Sequence, residues 1–111
     1  MSMEKQALLI HRLLAKTKAG QLDWKESADV GFYVSFKDSS VVVITRGGDV
    51  LVKLVNEDGM VVETFDDNDL RVANFDPMPL FELSELARRT ALGSEKLLNS
   101  ILSELGDEVP F

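Results

Sequence analysis

Between Val30 and Phe65 the chain alternates β-rich apolar runs with turn chemistry: VGFYVSFK, VVVITR, DVLVKLVN and MVVETFD are separated by DSS, GGD and EDG. Links this short join antiparallel neighbours, so the stretch predicts a four-stranded meander. In the first run Val30, Phe32, Val34 and Phe36 alternate with Gly31, Tyr33, Ser35 and Lys37, the period of a sheet with one buried face. The later runs are apolar on both sides. Val42 and Ile44 oppose Val41 and Val43, Leu51 and Val55 oppose Val50, Val52 and Leu54, and Val61 and Phe65 oppose Met60 and Val62. Strands covered on both faces read this way, and the second cover is a helix or another subunit.

Before the meander the pattern changes to a helical period. At 100° per residue Met3, Ala7, Leu9, Ile10, Leu13, Leu14 and Thr17 fall on one arc, predicting an amphipathic helix from Met3 to about Lys18 that stops at Gly20. Leu8 and His11 lie on its polar side. Trp24, the only tryptophan, reads as an anchor between helix and sheet. After the meander, Leu70 to Phe75 alternates well enough to predict a short fifth strand. Asp76, Pro77, Met78 and Pro79 then break the chain ahead of a helix, since proline suits a helix start. That helix places Leu80, Leu83, Leu86, Ala87, Thr90 and Ala91 on one face, with Phe81 and Leu92 opposite. Leu97, Leu98, Ile101, Leu102 and Leu105 make a second stripe beyond Gly93 and Ser94, which read as a stop and a new N-cap. The two stripes differ in phase by only about 20° on one wheel, so a single bent helix fits as well as two. Residues 106–111 read as a tail.

The expected fold is therefore one α+β domain spanning residues 1–111: an N-terminal helix, a four- or five-stranded antiparallel meander, and one bent or two C-terminal helices. The first helix and the segment from Leu80 to Leu105 each offer an apolar stripe that can share a single face of the sheet. Residues on the other face then lack a partner within the chain. Leu13, Leu14, Thr17, Gly20, Leu22 and Trp24, followed by the β-rich stretch and by Leu86, Ala87, Arg88 and Arg89, resemble a family of small bacterial proteins sharing a T-x-x-G-x-L-x-W connection. The resemblance implies a bacterial or phage origin and the order helix, meander, helix. It brings no activity or ligand with it.

Composition narrows the function classes. The chain of 111 residues has no cysteine and one histidine, which removes disulfides, thiol chemistry and cysteine-based metal sites and leaves His11 without co-ligands. Asp66, Asp67, Asn68 and Asp69 lack the glycine and distal glutamate of a calcium loop and read as a solvated turn. RGGDV is a hairpin turn and not a strand-to-helix phosphate loop. Glu85 and Arg89, four apart, read as a surface ion pair. A net charge of −7 disfavours nucleic acid and anionic membranes as partners, although the first 25 residues carry five Lys or Arg against two acids. No apolar run reaches the roughly 20 residues that span a bilayer, and the expected location is the cytoplasm.

The leading expectation is a non-enzymatic protein–protein interaction module that forms a homodimer: an accessory protein of the inhibitor, immunity or chaperone type. Small acidic secretion chaperones resemble it in size and charge, though their helix usually interrupts the strands. Its candidate surface comprises Leu8, Val42, Ile44, Leu51, Val55, Phe81 and Leu92. No catalytic, cofactor or metal residue is assigned. The alternative is a small-ligand or weakly enzymatic domain with its pocket between sheet and helices near Trp24, Tyr33 and Arg89.

Overall fold

A computed structural model describes residues 2–27 and 31–106. Its elements run α1 (Glu4–Lys18), β1 (Lys25–Glu26), β2 (Phe32–Ser35), β3 (Ser39–Arg46), β4 (Asp49–Asn56), β5 (Val61–Asp66), α2 (Asp67–Val72), α3 (Met78–Ala91) and α4 (Ser94–Leu105). The strands form one antiparallel sheet in sequence order, an α+β fold with the helices before and after the meander.

Helix α1 buries Ala7, Ile10, Leu13, Leu14 and Thr17, the stripe its periodicity calls for. It ends in a Schellman closure: the Gly20 N–H donates to the Thr17 carbonyl and the Gln21 N–H to the Lys16 carbonyl, both at 3.0 Å. The closure needs a left-handed residue, and Gly20 supplies it with φ 70°. The chain then returns to the sheet through Trp24, 2 % exposed, whose indole Nε1 donates to Thr17 Oγ1 at 3.0 Å. Thr17 Oγ1 in turn donates to the Leu13 carbonyl at 2.6 Å. The T-x-x-G-x-L-x-W spacing thus has a physical content: a hydroxyl relay, a helix stop and a buried anchor. The two residues after Trp24 form β1, an edge strand facing Tyr33 and Phe32 of β2.

One face of the sheet carries the core. Val34, Val41, Val43, Val50, Val52 and Phe65 meet α1 together with Leu80, Leu83 and Ala87 of α3 and Leu70 of α2. Thr45 on that face shares a 2.7 Å hydrogen bond with Ser84 of α3, and Lys18 of α1 bridges Glu82 of α3 at 2.7 Å. The register shifts between Leu54 and Val55: Leu54 faces Glu63 and Val55 faces Val61, so Val62 is the extra residue of a bulge on the outer strand. The first run is shorter than its pattern suggested. Phe36 lies beyond the end of β2 and is exposed, and Val30 falls outside the described residues.

Three expectations are corrected. The segment from Leu70 to Phe75 is not a fifth strand. Its first residues belong to α2, because Asp66 and Asp69 form a capping box: the Asp69 N–H donates to Asp66 Oδ1 at 2.8 Å and the Asp66 N–H to Asp69 Oδ2 at 3.0 Å. The acidic run is also not a wholly solvated turn. Asp67 is fully buried, accepting from the Val50 N–H at 2.8 Å and from Arg71 at 2.9 Å. Val50 lies one residue beyond the Leu51–Asp66 pair at the end of β5, and the Asp67 carboxylate takes over where that strand stops. Third, the C-terminal segment does not lay both stripes on the sheet. Gly93, with φ 67° and ψ 35°, breaks it into α3 and α4, and α4 buries no residue. Gly93, not Ser94, holds the N-cap position, without a side-chain cap. Residues 107–111, most of the expected tail, are outside the described set.

Candidate interaction surface

Strand alternation and register assign Val42, Ile44, Leu51 and Val55 to the sheet face opposite the helices. Ile44 pairs with Leu51, Val42 with Lys53, and Lys53 with Thr64 on β5, while Tyr33 of β2 is opposite Val42. Val42, Leu51 and Val55 are partly exposed, and none of the four belongs to the helix-covered core. Ile44 is buried at 3 % because Leu51 lies beside it and the backbone at Gly31 runs so close that a Cβ there would come within 2.8 Å of Ile44 Cγ1. The structure therefore brings these four candidates onto one aliphatic surface with Lys53 near its centre.

The other three candidates lie elsewhere. Leu8 is half-exposed on the solvent side of α1, and Leu92 is half-exposed at the end of α3. Phe81 packs against the core, with the Arg71 guanidinium 5.8 Å from its ring centroid. A further apolar surface is one that the sequence assigned to the core. On α4, Leu97, Leu98, Ile101, Leu102 and Leu105 are 46–72 % exposed. They span an arc of about 140° of a 12-residue helix whose main packing among the described residues is against α3. Glu95 and Glu104 flank the stripe, about 90° to either side of its centre. Periodicity marks this stripe clearly but gives no indication of what covers it, because core and interface stripes follow the same pattern.

The residues suggested for a ligand pocket are not gathered into one. Trp24 is enclosed and its indole N–H satisfied, Tyr33 lies on β2 toward the outer face, and Arg89 is partly buried on α3. Glu85 pairs with Arg88 and not with Arg89. Arg88 donates to both carboxylate oxygens, at 2.6 and 3.3 Å, and this hydrogen bonding holds the exposed Glu85 carboxyl below the usual carboxylate range. A groove of about 500 Å³ lies instead where Met3 and Gln6 of α1 meet Glu63 and Phe65 of β5 and Asp69 and Val72 of α2. There Gln6 Nε2 donates to Glu63 Oε2 at 2.7 Å, leaving the buried Gln6 Oε1 without a partner among the described residues. His11 is exposed on α1, and no three His, Cys, Asp or Glu side chains among the described residues are grouped to hold a metal ion. No described helix is long and apolar enough to cross a membrane. No family model, curated protein or solved structure matches the chain.

Proposed function

We propose that the protein is a non-enzymatic protein–protein interaction module that acts as a homodimer, an accessory protein of the inhibitor, immunity or chaperone type in the bacterial cytoplasm. The observation that carries this reading is α4, whose five large aliphatic side chains contribute nothing to the described core. Contiguous apolar patches larger than a few hundred Å² are rare on monomeric soluble proteins and mark sites where they meet partners. Sedimentation at micromolar concentration tests it directly. The wild-type chain is expected to run as a dimer, and a Leu98→Glu, Ile101→Glu variant as a folded monomer with unchanged Trp24 emission, since neither side chain is buried. A wild-type chain that stays monomeric overturns the dimer.

The groove supports a second reading, a small-ligand domain. Gln6 lines it, and the buried Gln6 carbonyl oxygen has no hydrogen-bond partner among the described residues. A metabolite screen by thermal shift tests it, with a rise in Tm lost in a Gln6→Leu variant as the expected outcome.

A further inference from the structure

Building on the homodimer reading, we infer that the dimer is closed by reciprocal exchange of α4: each copy lays its α4 stripe across the outer sheet face of the other. Among the described residues two apolar surfaces remain open, one exposed and one partly exposed, and they are of complementary kinds. One is the helix stripe centred on Leu98 and Ile101, the other the sheet surface around Val42 and Leu51. A helix on a sheet is the same pairing that builds the core on the opposite face. Helix α4 depends on such a cover, because isolated helices shorter than roughly 12–15 residues are marginal in water and this one has 12 with none buried.

Area distinguishes exchange from the simpler pairing of α4 with its own copy. Five aliphatic side chains about half exposed offer on the order of 400 Å². Pairing two such stripes buries roughly 800 Å² in all, short of the roughly 1,000 Å² that a stable interface needs. Reciprocal exchange adds to the two stripes what the two outer faces still expose around Val42, Leu51, Lys53 and Val55, which lifts the total above that threshold. Charge is also compatible: exchange brings Lys53 on the outer face toward Glu95 and Glu104 bordering the stripe, while Asp66, across from Leu51, is engaged in the α2 capping box. A two-fold exchange also satisfies every copy of both surfaces and leaves no open end for a filament.

The chain has no cysteine, so single-cysteine variants report proximity without background. Ile101→Cys in α4 is mixed with Val42→Cys, Leu51→Cys or Val55→Cys on the outer face, under a mild thiol oxidant at micromolar protein. Exchange is expected to give disulfide-linked dimers in at least one mixture, and little or none from Ile101→Cys or Leu98→Cys alone. Efficient linkage of Ile101→Cys or Leu98→Cys to itself, with none in the mixtures, overturns exchange in favour of α4 pairing and leaves the homodimer standing. A dimer by sedimentation that links at none of these positions also overturns exchange. Monomeric wild-type protein overturns the homodimer reading itself.

Discussion

Thr17 is the most economical residue in this structure: one hydroxyl donates to the Leu13 carbonyl and accepts from the enclosed Trp24 indole. Thr17→Val keeps the shape and removes both bonds, leaving a buried N–H without an acceptor. The expected loss is about 1–3 kcal/mol, read as a fall in the urea midpoint, and Thr17→Ser should recover most of it. The sequence placed Thr17 on the buried arc and Trp24 at the helix–sheet junction. It did not reveal the bond between them, since periodicity places a side chain on a face but does not aim its polar atom. Asp67 illustrates the opposite failure. Four consecutive polar residues look like a solvated turn, yet one of their carboxylates is fully buried and terminates a strand. Asp67→Ala strips the Val50 N–H and the Arg71 guanidinium of their acceptor at once, and is expected to cost about 3 kcal/mol by chemical denaturation. Asp67→Asn keeps one oxygen for Val50 and should cost visibly less.

At the scale of elements, long periodic segments were readable and short ones were not. Helix α1 and the order of strands β2 to β5 follow from period and turn chemistry, whereas the matching phases of the two C-terminal stripes left one bent helix or two open until Gly93 divided them. β1 is two residues long, too short to show any period. α2 was hidden because Leu70, Val72 and Asn74 alternate like a strand, while the signal that decides, Asp66 and Asp69 three apart, uses aspartate where a capping box usually has glutamate. Gly93 sets the direction of α4, and that is testable. A left-handed backbone costs a residue with a Cβ roughly 1–2 kcal/mol, so alanine there favours ordinary helical angles. The phases of the α3 and α4 stripes then allow the two helices to merge. Gly93→Ala is expected to raise the far-UV helical signal while weakening self-association, because α4 is redirected. Unchanged association would show that the left-handed break does not control where α4 points.

The whole molecule is extended for its length, measuring 56 × 32 × 26 Å with a radius of gyration of 16.2 Å, where about 13 Å is expected for a compact chain of this size. The excess fits a helix that gains little from its own body. The sequence could not foresee it, because it shows which residues avoid water and not whether the element that shields them belongs to the same chain. Two copies that associate through apolar surfaces must also overcome their charge, −7 on each. At low ionic strength, near 0.01 M, charges are felt over about 30 Å, which spans most of such a dimer; at 0.15 M they are felt over about 8 Å. Lys53 against Glu95 and Glu104 supplies only local attraction, which salt also weakens, whereas the repulsion involves the net charge of both copies. Raising salt across this range is therefore expected to tighten the dimer in sedimentation equilibrium. Loosening would mean that opposite charges, not aliphatic burial, hold the copies together. Because association stabilises the folded chain by mass action, Tm should also rise with protein concentration, and that rise should disappear in the Leu98→Glu, Ile101→Glu variant.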